Sequence, residues 1–511
     1  MQFQQLEFIK HAVQTKRRVY LDHNATTKVS SMVRNTMNKV LKSSFGNPSS
    51  IYADGRRSSE IIEDARQYVA NAINADSSEI YFTGCATESN NSVIISLTDH
   101  FFPEKNKIIT TPIEHPSVMK TLDYLKMRGV IVEYCPVDCF GRVILAELER
   151  LIDDNTFLIC CMLANNEIGT IQDIKSISSI AKKRDVLVLS DCVQAFGKIP
   201  IDVKNLDIDY ATFSAHKLYG PKGIGALFVR QNSPFAPFIH GGHQEKGMRA
   251  GTESIHNIAG FGAACRVVDS LILKARNAAK LKLYFIEQLK LVKSDCIINS
   301  PISFCLPNTI SATFPGINNA GLMVALDNFG IAVSAGSACS AQDETPSHVL
   351  KAVGLSDKAA KETIRISLGT ETTLRDIKYT LNVLKKYVNG QIPSINMITP
   401  AQFDESLLFD EKKFILDVRP QILRKITKGI PGSHEISFVS IEKYISQLPK
   451  DKNIVVVCQS GNISIVVAYY LKSKGFNNVS NLLFGINGWK SKQCELYQKY
   501  AGKNIKVLLP N

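Results

Sequence analysis

From residue 80 onward, short β-rich segments alternate with amphipathic segments of helical period. The β-rich segments include EIYFT, KIITTP, FLICCML, DVLVLSD and YATFSAHK, and the helical ones include PSVMKTLDYLKMRG and DIKSISSIAKKRD. Strands that alternate with helices of this length are typical of a mostly parallel sheet covered by helices. The pattern therefore predicts an α/β fold built on one large sheet.

Changes in this pattern divide the chain. A large subdomain is expected at about 30–262, and the more helical residues 263–388 predict a small α+β subdomain that also takes up the N-terminal segment. Together they form a first domain over 1–388. Gly, Pro, Asn and Ser interrupt the pattern at 389–400, which predicts a linker. The segments FILDV, NIVVVC and ISIVVAYYLKSKG then predict a separate small α/β domain over 401–511.

Composition excludes several classes of protein. With 45% hydrophobic and 21% charged residues, the chain is neither disordered nor collagenous. The net charge of +13 is compatible with RNA binding, but a basic excess of this kind more often marks only a solvent-exposed surface. The 12 cysteines show no paired CxxC spacing, so we expect no disulfide scaffold, no metal site and a reducing compartment. Residues 1–18 lack an apolar core, and CQSGN interrupts 454–471, so we expect a cytoplasmic protein without a membrane span.

Polar residues follow the predicted strands. Lys217 lies between a strand and a Gly-rich turn, where a lysine amine can form a Schiff base, although most lysines are surface groups. Asp191 ends DVLVLSD, where a carboxylate can pair with the ring nitrogen of pyridoxal phosphate or simply cap the next helix. Thr87, in TGCATESNN, marks a helix start that suits a phosphate or is an ordinary cap.

Ten motifs occur together in an order and spacing that resemble the cysteine desulfurases, which are fold-type-I pyridoxal phosphate enzymes. They are YLDHNATT, FGNPSSIY, GCATESNN, IEHPSV, NNEIGTIQDI, SDCVQAFGKIPIDV, SAHKLYGPKGIGAL, GGHQEKGMRAGT, SAGSACS and IRISLG. The resemblance covers about residues 18–388. It implies the transferase fold of type I, pyridoxal phosphate as cofactor, L-cysteine as substrate and a homodimer.

The resemblance also assigns roles around the cofactor ring. Lys217 would hold the cofactor covalently, and Asp191 would pair with the ring nitrogen. Gln194 and Asn166 would bond the phenolic oxygen, with Asn166 also near the substrate. His115 would stack on the ring and transfer protons.

Further roles concern the phosphate, the substrate and the sulfur. The phosphate would be held by Ala86, Thr87, Ser214 and His216, with Thr252 of a second subunit. Arg365 would clamp the substrate carboxylate with its bidentate fork, unless it only forms a helix-surface ion pair. Cys339, among small residues, would be the nucleophile that takes sulfur from cysteine and leaves alanine.

Rival reactions and departures from the family pattern remain. The cofactor residues alone also suit a selenocysteine lyase or a transaminase, and Cys339 is the feature that discriminates against them. Cys85 and Ala215 stand where the family often has smaller residues. Four cysteines in apolar segments are expected to be core: Cys160, Cys161, Cys192 and Cys265.

The motif VVVCQSGNIS places Cys458 between a strand and a helix, where backbone N–H groups stabilise a thiolate or persulfide. With ILDVR, IPGS and LLFGINGW it resembles a rhodanese domain over about 400–500. Ile463 stands where this family often has arginine, and Gly429 where it often has histidine. We therefore hypothesise that Cys458 takes sulfur from a protein persulfide rather than from thiosulfate.

A short flexible linker between the two domains would favour a relay from Cys339 to Cys458. The acceptor could be an iron–sulfur scaffold, a tRNA-thiolation enzyme or a biosynthetic carrier, and transfer could run within or between subunits. Alternatively, residues 401–511 are only a docking module for an acidic scaffold or RNA.

Overall fold

A computed structural model describes residues 17–336, 346–392, 394–400, 402–403, 410 and 412–490. Cys339 lies outside the described residues. The strands are β1 (Val19–Tyr20), β2 (Ile80–Thr83), β3 (Lys107–Thr110), β4 (Ile131–Tyr134), β5 (Thr156–Cys160), β6 (Leu187–Asp191), β7 (Tyr210–Ser214), β8 (Gly225–Val229), β9 (Ile297–Ile298), β10 (Thr309–Thr313), β11 (Ile331–Ala332), β12 (Thr363–Ser367), β13 (Asn396–Ile398), β14 (Lys413–Asp417), β15 (His434–Glu435), β16 (Asn453–Val457) and β17 (Val479–Leu482).

Helices fill most of the connections between these strands. They are α1 (Ser31–Ser43), α2 (Ala53–Asn71), α3 (Ala86–Phe101), α4 (Pro116–Lys126), α5 (Leu145–Leu151), α6 (Ile174–Lys182), α7 (Val203–Leu206), α8 (Ile255–Cys265), α9 (Val268–Val292), α10 (Asn319–Asn328), α11 (His348–Ala352), α12 (Asp357–Ala360), α13 (Leu374–Val388), α14 (Gln421–Ile426), α15 (Ile441–Tyr444) and α16 (Asn462–Ser473). Among the described residues, none of these helices combines the length and the apolar composition needed to cross a membrane.

The large sheet has seven strands in the order β2-β8-β7-β6-β5-β3-β4. Strand β8 runs antiparallel to both of its neighbours, whereas the other pairs are parallel. Helices bury both faces: in β8, Ala226 and Phe228 pack into one hydrophobic cluster, and Leu227 and Val229 into another. The expected α/β fold with a mostly parallel sheet is confirmed.

A smaller sheet completes the first domain. Strands β9, β10 and β12 are antiparallel, and β1 pairs with β11 beside them. The N-terminal segment then continues to the large sheet, because the side-chain amide of Asn24 donates to the backbone oxygen of Asn166 at 3.1 Å and to Thr309 Oγ1 at 2.8 Å. Residues 22–27 therefore lie between the two parts of this domain.

The C-terminal residues form a parallel five-stranded sheet in the order β13-β17-β16-β14-β15. The range 389–400, expected to be a linker, differs from that expectation because it contains β13, which pairs with β17. Ile392 and Ile395 are buried in one hydrophobic cluster together with Tyr387 and Tyr469. This segment is therefore packed between the two domains instead of forming an extended tether.

Candidate active site

One edge of the large sheet collects the predicted site residues. Strands β2, β3, β5, β6 and β7 all run in the same direction, so the segments that follow them emerge at a common edge. The residues at or just beyond these strand ends are Ala86, Thr87, His115, Asn166, Asp191, Gln194, Ser214, His216 and Lys217. Residues far apart in sequence thus share one site because the strands are parallel.

Lys217 lies on a single 3₁₀ turn, Ala215–Lys217, that follows β7. Its amine donates hydrogen bonds to the backbone oxygens of Asn24 at 2.5 Å and Ala25 at 2.6 Å. The motif YLDHNATT thus supplies backbone acceptors to this lysine from about 190 residues away. No local pattern distinguishes Asn24, because its contacts form only in the fold.

Asp191, at the end of β6, is buried and held in one orientation. Its Oδ2 accepts from Asn90 Nδ2 at 3.1 Å, and its Oδ1 accepts from the Val193 backbone N–H at 3.0 Å. Asn90 is itself fixed, because Thr212 Oγ1 donates to its Oδ1 at 2.9 Å. The carboxylate is therefore preorganised, through a residue that sequence reasoning missed.

His115 caps helix α4 with its side chain. The Ser117 backbone N–H donates to His115 Nδ1 at 3.1 Å, so Nδ1 acts as an acceptor. Burial, with nearby Lys217 and His348, lowers the pKa of His115 although Asp191 opposes the shift. The ring is therefore neutral at pH 7, with its proton on Nε2. His115 and Thr87 line a cavity of about 460 Å³ at this edge.

The predicted phosphate contacts lie in different environments. Ala86 begins α3, Thr87 is exposed on its first turn, and Ser214 is buried at the end of β7. His216 Nδ1 lies 3.0 Å from Thr26 Oγ1, and burial lowers the pKa of His216 to about 4. Thr252 is exposed on the surface of the single chain. The first four residues thus follow β2 or β7 at the same edge of the sheet, whereas Thr252 faces outward.

Arg365 lies on β12, with its side chain only 2% exposed. Its Nη2 pairs with Asp22 Oδ1 at 2.7 Å, and its Nη1 donates to the Asn166 backbone oxygen at 3.0 Å. Its buried Nε has no hydrogen-bond partner among the described residues. Arg365 is therefore a buried residue of a strand, and the alternative that it forms only an ion pair on a helix surface is wrong.

Glu167 connects both ends of the segment that holds Cys339. Ser347 Oγ donates to Glu167 Oε2 at 2.6 Å, and a Cβ added to Gly336 would lie 3.1 Å from the same oxygen. Glu167 is buried next to Asn166. The described residues on either side of 337–345, Gly336 and Ser347, therefore lie beside the site, and Cys339 is three positions from Gly336 in the sequence.

The cysteines expected in the core are confirmed there. Cys160, Cys161, Cys192 and Cys265 are buried, and burial raises the pKa of each thiol. These thiols are protonated at neutral pH and are poor nucleophiles.

The second site surrounds Cys458, between β16 and α16. Its sulfur is buried and accepts a hydrogen bond from Ser464 Oγ at 3.3 Å. The loop is tightly packed against Gly485, where a Cβ would lie only 2.1 Å from the Cys458 backbone oxygen. Ile463 is 39% exposed at the loop.

An ion pair lies under this loop. Arg419 Nη2 contacts Asp417 Oδ2 at 2.7 Å, both side chains are 1% exposed, and Arg419 Nη1 also donates to Gln459 Oε1 at 3.1 Å. A Cβ at Gly429 would lie 2.9 Å from both members of the pair. This crowding explains why glycine occupies the position where a rhodanese often has histidine.

The chain matches the class-V aminotransferase family over residues 19–380 and the rhodanese-like domain family over residues 399–492. It is 41% identical over 374 residues to a cysteine desulfurase IscS of Dictyoglomus turgidum, covering 73% of this chain and 95% of the relative. A cysteine desulfurase of Nostoc is 39% identical over 394 residues, covering 76% and 96%.

Solved structures agree with these relatives. A NifS-like protein superposes with a TM-score of 0.69 at 40% identity, covering 73% of this chain and 100% of the other. SspA in complex with cysteine superposes with a TM-score of 0.62 at 37% identity, covering 70% of this chain and 100% of the other.

Proposed function

Because this chain belongs to the class-V aminotransferase family and is a cysteine desulfurase joined to a rhodanese-like domain, we propose that sulfur passes from cysteine to Cys339, then to Cys458. The enzyme depends on pyridoxal phosphate, as its family does. The observation that carries the first transfer is that Glu167 accepts a hydrogen bond from Ser347 and leaves little room for a Cβ at Gly336, so the described residues on both sides of the Cys339 segment lie near Asn166.

The residues at the sheet edge fit pyridoxal phosphate. Asp191 offers a buried, oriented carboxylate to the ring nitrogen, and Lys217 offers an amine to the aldehyde. The first turn of α3 and Ser214 offer donors to the phosphate. When bound, the cofactor withdraws electrons from the α-carbon of the substrate and weakens the bonds to it.

Two side chains would handle the substrate itself. Arg365 would bind the cysteine carboxylate through its buried Nε, while Asp22 and the Asn166 backbone hold the rest of the guanidinium in place. His115 carries its hydrogen on Nε2, from which it would donate a hydrogen bond toward the substrate, and it stays the candidate for proton transfer.

Cys339 would then take the sulfur. Support comes from Gly336, three positions earlier in the sequence, which lies close to the Glu167 carboxylate next to Asn166. The Cys339 thiolate forms a bond with the substrate sulfur as the carbon–sulfur bond breaks. The electron pair of that bond stays with carbon, which is protonated to give alanine, and Cys339 holds the persulfide.

The relay to Cys458 requires its thiolate to attack the outer sulfur of that persulfide and release Cys339. The N-terminus of α16 and the Ser464 hydroxyl favour a sulfur anion at this position. Ile392 and Ile395 pack the connecting segment between the domains. The high effective concentration that a flexible linker gives to two tethered thiols therefore does not apply to this chain. The relay depends instead on where the fold places the two thiols, within one subunit or between two.

We propose a protein persulfide as the donor to Cys458. Ile463 contributes no charge to the loop, and the Arg419 guanidinium is occupied by Asp417, Gln459 and the Thr427 backbone oxygen. Among the described residues of this loop, an anionic small donor such as thiosulfate would therefore find no free arginine to bind it.

We also propose a homodimer in the cytoplasm that delivers sulfur to an iron–sulfur scaffold or a tRNA-thiolation enzyme. Support for the dimer comes from the motif FGNPSSIY, in which Phe45 and Ile51 are 84% and 90% exposed in the single chain. Exposed Thr252 is then free to reach a partner's site. Sedimentation velocity tests the dimer.

Mass spectrometry of the full chain tests the relay. The cofactor-loaded protein is mixed with sulfur-labelled cysteine, and persulfides are mapped over time. Cys339 should be labelled first and Cys458 second. Cys458→Ser should retain labelled Cys339 and lose delivery to an acceptor, Cys339→Ser should lose both labels, and Cys139→Ser, at an exposed thiol, should match the wild type.

Two results would contradict the proposal. Undiminished delivery by Cys458→Ser would make the C-terminal domain a docking module. Alanine formation that survives Cys339→Ser would favour a selenocysteine lyase.

A further inference from the structure

Lys198 lies in the same cavity as Lys217, and its amine contacts the site network. Its Nζ donates to Gln194 Oε1 at 2.7 Å and lies 3.4 Å from Asn24 Oδ1. The preceding residue, Gly197, has φ of 73°, and a Cβ there would lie 1.9 Å from Leu218 Cδ1. A glycine-dependent turn therefore directs the lysine into the site.

The network fixes the orientation of the Gln194 amide. On one side, the Gln194 amide lies 2.9 Å from the Asn24 backbone oxygen. A carbonyl oxygen can only accept a hydrogen bond, so the amide atom on this side is the donor Nε2. On the other side Oε1 receives the Lys198 amine. The Asn24 carbonyl is also the acceptor for Lys217 Nζ, so the Gln194 NH₂ group lies at the reactive lysine with one proton still to donate.

We propose that Lys198 is a positioning residue, which holds the Gln194 amide so that its second N–H donates to the phenolic oxygen of the cofactor. This inference rests on the proposed binding of pyridoxal phosphate at Lys217. Burial, together with Lys217 and Arg365, lowers the pKa of Lys198. An amine placed so close to two other cationic groups destabilises the fold, which favours a role at the site over simple packing.

The test is the pH at which the visible absorbance of the bound cofactor changes. This change reports the proton shared between the Lys217 nitrogen and the phenolic oxygen. A hydrogen-bond donor to the phenolic oxygen stabilises the negative charge there, so the oxygen attracts the shared proton less strongly. Lys198→Met should therefore raise the midpoint by about half to one pH unit. Lys198→Arg, which keeps a donor, should stay near the wild type.

A double-mutant cycle separates positioning from charge. In a Gln194→Ala background, Lys198→Met should cause no further shift. An equal shift of the midpoint pH in that background would show that Lys198 acts through its own electric field and not through Gln194. No shift in either background would show that Lys198 only packs. Either result would overturn the inference. Lys198→Leu replaces the methionine variant if the latter does not fold. A wild-type protein that develops no visible band with pyridoxal phosphate would instead refute the proposed cofactor site.

Discussion

The ion pair between Asp417 and Arg419 should dominate the stability of the C-terminal domain. Asp417→Asn keeps the side-chain volume and removes the negative charge. The guanidinium of Arg419, which is 1% exposed, then loses the carboxylate oxygens that lie 3.0 Å from its Nε and 2.7 Å from its Nη2, because one becomes an uncharged amide oxygen and the other an amide nitrogen. A buried charge that has lost its counter-charge is strongly destabilising.

The expected loss is about 3–5 kcal/mol in the free energy of unfolding, a large part of the roughly 5–15 kcal/mol that stabilises a typical domain. With a denaturant dependence of about 1–2 kcal/mol per molar urea for a domain of this size, the midpoint should fall by roughly 1.5 M or more. Glu435→Gln is the matched control. It removes the 54%-exposed partner of Arg424 in the same domain and should cost less than about 1 kcal/mol.

Trp489 provides the assay. It is the one tryptophan in the sequence, and it packs in a hydrophobic cluster with Ile398 and Val457 of the C-terminal sheet. Urea unfolding followed by its fluorescence therefore reports this domain within the full chain. If Asp417→Asn unfolds within 1 kcal/mol of the wild type, as the control does, the guanidinium is hydrated and the reasoning from burial is wrong.

Three further outcomes are expected. Burial raises the pKa of Glu114 from 4.5 to about 8, so the stability it provides is complete below pH 4.5 and falls as pH rises toward 8, by about 1.4 kcal/mol per unit. Urea unfolding of Glu114→Gln should be less dependent on pH over this range, and an unchanged slope would contradict the burial. Asn90→Ala removes the donor to Asp191 and should weaken pyridoxal phosphate binding about tenfold in an absorbance titration; unchanged affinity would show that the contact does not matter. Ile463→Arg should raise thiosulfate:cyanide transfer about tenfold, whereas Val439→Arg, at another exposed position, should not, and equal gains would point to a general charge effect.

The strand pattern was sufficient to predict the large sheet and the residues that follow its strands. Asp191 and Lys217 stand next to apolar segments whose parallel pairing brings them together, so local sequence carries the information. The family motifs then pointed to His115, at the N-cap of α4, and to Arg365, on β12, and no local pattern explains either position.

Contacts between distant segments could not be predicted in this way. Asn24 reaches Lys217, and Glu167 reaches Ser347, only after the small sheet has packed on the large one. Strand β13 was missed for a similar reason: a three-residue edge strand takes its conformation from pairing with β17, whereas its Pro- and Asn-containing surroundings read as a loop.

The hydrophobic cluster that contains Tyr387, Ile392, Ile395 and Tyr469 belongs to both halves of the chain. Cutting the chain near residue 390 would expose apolar side chains of this cluster on each fragment. Each fragment would then aggregate or bind chaperones. The two domains therefore depend on each other at this cluster, and neither is expected to persist as a well-behaved molecule once the chain is cut there.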